Sequence, residues 1–184
     1  MTDPRTRRLI AVAGATATGK TALGVRLAGQ LGGEIVNADS RQVYRGMDIG
    51  TAKPTAAERE GVRHWLVDVA EPDETFSLGR YLDLAREALD DCWSRGVTPI
   101  VAGGTGQYVW ALLEGWQVPR VPPDLDLRAE LEARVERDGV EALVAELEAV
   151  DPEYAARGDR RNPRRVIRAL EVFRRTGRPI SSCQ

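Results

Sequence analysis

The first part of the chain alternates short apolar runs with segments of helical periodicity. Apolar runs predict four β-strands, at 9–13, 34–38, 64–69 and 98–102. Apolar residues three and four positions apart predict helices at 21–31 and 107–113, and a longer one that Ser77 caps and Gly96 ends. This alternation is typical of a doubly wound parallel sheet, and we expect it to occupy residues 1–115.

From residue 116 the period changes and no strand pattern appears. A proline-rich linker at 116–123 is followed by predicted helices at 124–138, 140–150 and 163–175. The last helix has Asn162 as its predicted N-cap, Pro163 in its first turn and Gly177 just after its end. We therefore expect residues 116–184 to form a helical insertion or lid.

The turn after the first predicted strand carries a phosphate-binding motif. Its sequence GATATGKT fits G-x-x-x-x-G-K-[ST] and lies between a strand and a helix, as a P-loop requires. Backbone amides of such a loop surround a phosphate group, and the positive end of the helix dipole points at it. Lys20 adds a charge, and the Thr21 hydroxyl can hold hydrated Mg²⁺. The motif predicts a P-loop NTPase-like fold without specifying the phosphate compound.

Two further segments are predicted to share the rim of the sheet with the P-loop. The second strand leads into Asp39, and the fourth leads into the glycine-rich turn that contains Thr105. Open α/β sheets bind their ligands at the carboxyl ends of their strands. The Asp39 carboxylate could serve there as a metal ligand, a helix cap or a general base. The glycine-punctuated segment 43–54 is predicted to form a shaped loop over the site.

Positive charge is concentrated near the end of the chain. Nine arginines stand against two acidic residues between positions 157 and 178, although the whole chain has a net charge of −2. A basic block beside an acidic body favours a polyanionic partner. A solvated arginine-rich helix face explains the same pattern equally well. Lysine, by contrast, occurs only at positions 20 and 53.

Composition argues against several classes of protein. One histidine and two cysteines leave little for a histidine-based metal site or a Ser-His-Asp triad. Cys92 falls on the apolar stripe of the long helix and is expected in the core. No apolar stretch is long enough to span a bilayer, and the first apolar run is too short for a signal peptide. We expect a cytoplasmic protein that acts as a monomer without a membrane partner.

Five motifs together resemble the tRNA dimethylallyltransferases, also called tRNA isopentenyltransferases. They are GATATGKT at 14–21, NADSRQVY at 37–44, GMDIGTAKP at 46–54, GGTG at 103–106 with Tyr108 and ALLEG at 111–115, and NPRRVIRALE at 162–171. The resemblance runs from about residue 9 to the end of the chain. It implies transfer of a dimethylallyl group from dimethylallyl diphosphate to N6 of the adenosine just 3′ of the anticodon in tRNA.

The resemblance also implies roles for individual residues. Lys20, Asp39 and Thr105 match catalytic positions, with Asp39 as the general base and Thr105 beside the reacting groups. Thr21 matches the residue that helps place Mg²⁺. Diphosphate or nucleotide binding falls to Gly14, Ala15, Thr16, Ala17, Thr18, Gly19, Lys20 and Thr21. Contact with tRNA falls to Asp39, Ser40, Arg41, Gln42, Thr105, Arg128, Arg164, Arg165, Val166, Ile167 and Arg168.

Family members continue beyond the position of the last residue, so we expect a C-terminally truncated transferase that keeps diphosphate binding better than tRNA binding. Three alternatives share part of the pattern. A P-loop kinase for a small molecule or nucleotide would use Lys20, Thr21 and Asp39 on a substrate hydroxyl. A prenyltransferase acting on free adenine nucleotides would need no arginine block. An inactive fragment would bind RNA or diphosphate without turnover.

Overall fold

Four parallel strands form the sheet of the first of two structural units, whose boundary lies between Gly115 and Trp116. The structure is a computed structural model that describes residues 7–183. The strands are β1 (Ile10–Ala13), β2 (Glu34–Asn37), β3 (His64–Trp65) and β4 (Pro99–Gly103). Their order in the sheet is β1-β4-β2-β3, and every pairing is parallel.

The strand order explains why the sheet is doubly wound. Helix α1 (Lys20–Leu31) connects β1 to β2, whereas α2 (Leu78–Ser94) carries the chain back in the opposite direction, from β3 to β4. Right-handed crossovers in opposite directions place these two helices on opposite faces of the sheet. Helix α3 (Gly106–Leu113) follows β4 and packs against α2. The predicted α/β fold class is confirmed.

Burial follows from this two-sided cover. All five residues of β4 are buried, as expected for an inner strand with helices on both faces. The buried stripe of α2 includes Cys92, which confirms its expected place in the core. Ser77 caps the same helix by accepting a hydrogen bond from the backbone N–H of Arg80 at 3.2 Å. No helix within residues 7–183 is both long and apolar enough to cross a bilayer.

Strand β3 is much shorter than the apolar run predicted. The run extends from 64 to 69, but pairing with β2 stops after Trp65. The reason is the backbone conformation, since Leu66 and Asp68 have φ angles of 60° and 59°, in the left-handed region that L residues rarely adopt. The chain then returns to parallel alignment at one isolated bridge between Tyr44 and Ala70.

The second unit is helical. Its helices are α4 (Leu125–Asp138), α5 (Val140–Val150), α6 (Pro152–Arg157) and α7 (Pro163–Thr176), followed by a 3-10 turn at Ile180–Cys183. Leu131, Leu143, Leu147 and Leu170 form its core. Asn162 caps α7 by accepting a hydrogen bond from the N–H of Arg164, and Gly177 ends the helix with φ 69°, as predicted. The sequence prediction missed α6, which is only six residues long and shows less than two turns of periodicity.

A fork between Glu34 and Arg95 joins β2 to the end of α2. Both guanidinium NH₂ groups of Arg95 donate to the carboxylate at 2.8 Å, and the indole N–H of Trp65 donates to it at 2.7 Å. The hydrogen bonds from Arg95, together with that from Trp65, outweigh burial and lower the pKa of Glu34 to about 2. In the folded protein the carboxylate therefore stays charged at pH values low enough to protonate it in the unfolded chain.

Replacing Glu34 with glutamine is expected to destabilise the first unit by about 1–2 kcal/mol at pH 7, after allowance for the partial exposure of Arg95. Because the folded pKa lies below the unfolded one, the contribution is complete above about pH 4.5 and is lost as the pH falls toward 2. The difference between wild type and Glu34→Gln should therefore shrink at low pH. Urea unfolding at pH 7 and pH 3 tests this through tryptophan fluorescence, since three of the four tryptophans lie in this unit. A difference that stays constant with pH would contradict it.

Candidate functional site

The loop between β1 and α1 has the geometry of an anion-binding turn. Ala17 and Gly19 adopt left-handed conformations, with φ 64° and 79°, which turn successive peptide groups of the loop. The Thr18 hydroxyl donates to the carbonyl of Ala15 at 2.8 Å, and the Lys20 ammonium donates to the same carbonyl. No side chain caps α1 at Gly19, so the first amides of the helix are available to a ligand.

The ends of β2 and β4 are tied together beside this loop. The N–H of Thr105 donates to the carbonyl of Ala38 at 3.0 Å, and the N–H of Ser40 donates to the Thr105 hydroxyl oxygen at 2.9 Å. The Thr105 hydroxyl in turn donates to the Ser40 hydroxyl at 3.2 Å. The predicted site residues Ser40 and Thr105, which are 65 positions apart in the chain, are therefore in direct contact.

Gly103 permits this close approach of the two strands. A Cβ added there would lie 2.1 Å from the carbonyl oxygen of Ala38, whereas one added at Gly104 would meet nothing closer than 3.6 Å. Glycine is thus needed at position 103 because the strands lie so close together, and not because of its backbone torsion angles.

Gly103→Ala is expected to destabilise the first unit by about 2–3 kcal/mol, because the strands must separate to admit the methyl group. Gly104→Ala is the matched control, and we expect it to change stability by less than about 1 kcal/mol. Urea unfolding of the two variants measures the difference. Equal stability of the two would show that the contact between Gly103 and Ala38 does not constrain the sheet.

Asp39 lies between the P-loop and the Thr105 turn. Its Oδ1 accepts a hydrogen bond from the N–H of Arg41 at 2.9 Å, which fixes the carboxylate at the end of β2. No helix of the structure begins at this position, so the helix-cap interpretation does not apply. The carboxylate lines the pocket described next, where it can act as a base or as a metal ligand.

A pocket of about 170 Å³ joins these elements. One side is the P-loop from Thr16 to Thr21, and Asp39 and Gln42 line the same space. Its remaining lining is largely apolar or weakly polar and comprises Ile35, Asn37, Thr51, Ala52, Pro54, His64, Ala102, Gly103 and Gly104. The pocket thus combines an anion-binding end with an apolar wall. Thr105 and Ser40, which contact each other, are not part of the lining.

The segment 51–54 is one wall of this pocket, and Gln42 holds it. The Gln42 side-chain N–H₂ donates to the carbonyls of Thr51 and Ala52, each at 3.1 Å. These bonds use both N–H donors of the side-chain amide, so the nitrogen of Gln42 supports the pocket wall formed by 51–54. The side-chain carbonyl oxygen of Gln42 is the atom that remains for a ligand. Arg41, in contrast, is exposed.

His64 lines the pocket, and sequence reasoning had given it no role. Its Nδ1 lies 2.9 Å from the carbonyl of Val62, an arrangement in which Nδ1 donates its proton and Nε2 remains an acceptor. Burial lowers the pKa of His64, so the ring is neutral at pH 7. Its position at the start of a predicted strand carried no signal that could have identified it as a pocket residue.

The helical unit corrects part of the predicted tRNA-binding set. Val166 and Ile167 belong to the core cluster of this unit and are buried, so their assignment to a contact surface is wrong for their side chains. Arg164 and Arg165, at the start of α7, are exposed. A helix cannot present 164–168 on one face, because adjacent residues are about 100° apart around its axis.

Arg128 and Arg168, both partly exposed, form a cluster with the buried Glu171. Arg128 donates to both carboxylate oxygens at 2.8 Å, the N–H of Asp124 donates to Oε1 at 2.8 Å, and Arg168 also bonds the carboxylate. Burial alone would raise the pKa of Glu171, but the bonds from Arg128, the Asp124 amide and Arg168 lower it to about 2. Arg168 further donates to the carbonyl of Val121 at 3.0 Å. These two arginines are therefore structural in this unit.

Ion pairing also answers part of the question about the arginine block. Five of its nine arginines pair with acidic side chains of the same unit, namely Arg157, Arg160, Arg168, Arg174 and Arg175. The block is thus partly a solvated, internally paired surface. The other four members, Arg161, Arg164, Arg165 and Arg178, are exposed.

The residues that could hold a metal ion are few. Within the described range 7–183 there is no group of three or more histidine, cysteine, aspartate or glutamate side chains able to bind one. Thr21, exposed at the start of α1, and Asp39 both line the pocket. Mg²⁺ suits such a sparse site, since it keeps several waters and takes its other ligands from substrate phosphates.

Sequence comparisons with known proteins match the chain to one family. The family model described as IPP transferase matches residues 42–184. A relative named tRNA dimethylallyltransferase, from Roseiflexus sp. (strain RS-1), is 58% identical over 173 residues, which cover 94% of this chain and 57% of that protein. The chain thus spans little more than half the length of the relatives that it matches.

Two solved structures are similar over nearly the whole chain. The full-length tRNA isopentenylpyrophosphate transferase from Bacillus halodurans is 47% identical, with a TM-score of 0.62 over 95% of this chain and 57% of that one. A eukaryotic dimethylallyltransferase acting on tRNA is 28% identical, with a TM-score of 0.75 over 96% of this chain and 44% of that one. The resemblance carried by the five sequence motifs is confirmed. By its motifs, its fold and these matches, the chain belongs to the IPP transferase family.

Proposed function

We propose that this chain contains the donor site and general base of a tRNA dimethylallyltransferase, which moves a dimethylallyl group from dimethylallyl diphosphate to N6 of the adenosine 3′ of the anticodon. The pocket carries this proposal, because it joins a phosphate-binding loop to an apolar wall beside a carboxylate. An allylic diphosphate has the same two-part character. Relatives at more than 50% identity are named tRNA dimethylallyltransferase. From a tRNA substrate we infer a cytoplasmic location.

The donor's diphosphate would occupy the P-loop. The amides at the start of α1 and the Lys20 ammonium would stabilise the negative charge that develops as the allylic C–O bond breaks. Mg²⁺, held by Thr21 and diphosphate oxygens, would add to this stabilisation. Diphosphate leaves with the bonding electron pair, and the bond from N6 to the allylic carbon forms.

Asp39 would accept the proton that N6 loses as this bond forms. The exocyclic amine of adenine is a weak nucleophile because its lone pair is delocalised into the ring, so proton removal during attack is needed. Ser40, Thr105 and Arg41 lie next to Asp39 and would contact the target nucleotide. The base must leave the anticodon-loop stack to reach them.

Contact with the rest of the tRNA would use exposed arginines of the helical unit. Arg164 and Arg165 can bind backbone phosphates without reading sequence. Arg128 and Arg168 would support that surface through Glu171 rather than bind phosphate with all their donors. Binding of this type weakens steeply as salt is raised.

Label transfer from radiolabelled dimethylallyl diphosphate to an anticodon stem-loop, with Mg²⁺, tests the proposal. The matched control is the same RNA with purine riboside at the target position, which lacks only the N6 amine. We expect label in the adenosine RNA and none in the control. Donor binding without transfer would limit this chain to the donor site, and phosphate transfer from labelled ATP to a small acceptor would instead support a kinase.

A further inference from the structure

Lys53 is buried in a polar cluster that the proposed chemistry does not use. Its side chain is only 4% exposed. The ammonium donates three hydrogen bonds, to the carboxylates of Asp48 at 2.7 Å and Asp68 at 2.6 Å and to the carbonyl of Tyr44 at 2.7 Å. All three donors of the ammonium are therefore satisfied. These charge-assisted bonds hold three separate parts of the chain around one atom.

The cluster adjoins the pocket wall. Lys53 stands between Ala52 and Pro54, both of which line the pocket, although its own side chain points away into the cluster. Ala52 has φ 50°, an unfavourable conformation that its surroundings must maintain. The bonds from Gln42 hold the wall on one side, and the Lys53 ammonium holds it on the other.

The same cluster is linked to the segment that carries Asp39. Asp68, which accepts from Lys53, belongs to the left-handed turn that also contains Leu66. The carbonyl of Leu66 accepts from the side chain of Asn37 at 3.0 Å, and Asn37 is the last residue of β2. One ammonium group thus fixes the turn against which the end of β2 rests.

We propose that Lys53 is a positioning residue that shapes the pocket wall for the hydrocarbon part of an allylic diphosphate. The inference rests on the proposed function of the pocket. Lys53 acts through the wall residues and touches neither the P-loop nor the diphosphate. Its removal should therefore weaken recognition of the donor's five-carbon group while leaving the phosphate end intact.

The affinities of two ligands with equal charge distinguish recognition of the hydrocarbon group from recognition of the phosphate end. Dimethylallyl diphosphate and methyl diphosphate present the same diphosphate ester but differ by four carbons. In the wild-type chain we expect dimethylallyl diphosphate to bind at least about tenfold more tightly, from burial of those carbons. In Lys53→Met the preference should fall to about threefold or less, with the affinity for methyl diphosphate changed by less than about twofold. Isothermal titration calorimetry with Mg²⁺ measures both ligands.

Arg7→Met serves as the control, because it removes a cation that pairs with Asp90 in the same unit at a position outside the pocket lining. It should keep the wild-type preference. Lys53→Cys alkylated with bromoethylamine restores an ammonium at nearly the same distance and should restore the preference, with alkylated wild type measured in parallel. A structural effect alone would not produce this selective loss and rescue.

The outcomes separate the inference from the function on which it rests. A wild-type chain that binds both ligands equally would contradict the proposed donor. A wild-type preference that Lys53→Met retains, or an equal loss of both ligands, would overturn the positioning role. If Lys53→Met does not fold by circular dichroism, Asp68→Asn removes one partner of the ammonium and should lower the preference about threefold.

Discussion

Replacing Asp39 with asparagine is expected to lower the rate of the proposed dimethylallyl transfer by about 10²–10⁴-fold, the usual contribution of a general base. Asparagine keeps an oxygen that can accept the hydrogen bond from the N–H of Arg41, so the turn after β2 should be preserved. It cannot accept a proton from N6. The single-turnover rate, with enzyme and donor in excess over RNA, measures the chemical step directly.

Donor binding distinguishes this role from metal binding. A general base contacts the acceptor, so Asp39→Asn should leave the affinity for dimethylallyl diphosphate within about twofold. Asp90→Asn is the control, because it removes a surface carboxylate of the same unit that pairs with Arg7. Loss of donor affinity in the Mg²⁺-containing assay, in parallel with the loss of rate, would identify Asp39 as part of the metal site instead.

The sequence was most informative where one residue type is nearly obligatory. The P-loop spacing placed a strand, a turn and a helix correctly. Its glycines and backbone amides form a phosphate-binding turn that occurs between a strand and a helix. The ends of α2 and α7 were predictable for the same reason, since Ser77 and Asn162 accept the hydrogen bonds for which such residues are favoured. Interactions between residues close in sequence determine these features, and such interactions are predictable from the sequence.

The segment between β2 and α2 was less predictable because long-range bonds decide it. An apolar run at 64–69 predicts a strand, but the turn at Leu66 and Asp68 ends it after two residues. Bonds from Asn37 and Lys53, 29 and 15 positions away, support that turn. No pattern of hydrophobic positions could reveal them. The rarity of lysine in this chain and the motif GMDIGTAKP singled out Lys53 but did not reveal its partners.

In α7 the error was to assign the whole segment 164–168 to tRNA contact, although a helix exposes only some of these residues. The helix was predicted correctly, but its buried stripe runs through Val166, Ile167 and Leu170. The first two of these are among the residues assigned to tRNA. Helical periodicity alone separates these from Arg164 and Arg165. Glu171 was the overlooked residue, because a carboxylate four positions after Ile167 falls on the apolar face and requires a buried partner.

Replacing Glu171 with glutamine is expected to destabilise the helical unit by about 3 kcal/mol. The carboxylate is 0% exposed, and its loss leaves Arg128 and Arg168 without the negative charge that compensates them. Removal of one partner of a buried ion pair typically destabilises by about 3–5 kcal/mol, and the partial exposure of both arginines favours the lower end. Glutamine is almost isosteric with glutamate, so packing contributes little to the change.

Hydrogen exchange is the appropriate measurement for this unit, because three of the four tryptophans lie in the first unit and an unfolding curve followed by fluorescence reports mainly on that one. A loss of about 3 kcal/mol should speed exchange of the most protected amides in α4 and α7 about 10²-fold, with the slowest amides of β4 unchanged. Glu153→Gln is the matched control, since Glu153 pairs with Arg157 on the surface of the same unit at 65% exposure. It should alter exchange by less than threefold.

The Glu171 cluster also predicts which helices respond. Glu171 bonds the N–H of Asp124, the N-cap of α4, and Arg128 on the first turn of that helix. Glu171→Gln should therefore raise exchange more at the start of α4 and in the middle of α7 than in α5, because the bonds of the cluster lie on the first two helices. Uniform acceleration across α4, α5 and α7 would mean that the unit opens as a whole and that Glu171 contributes only to its overall stability. Unchanged exchange in all three would show that the arginines are solvated well enough to need no carboxylate, and both would then be free to bind phosphate.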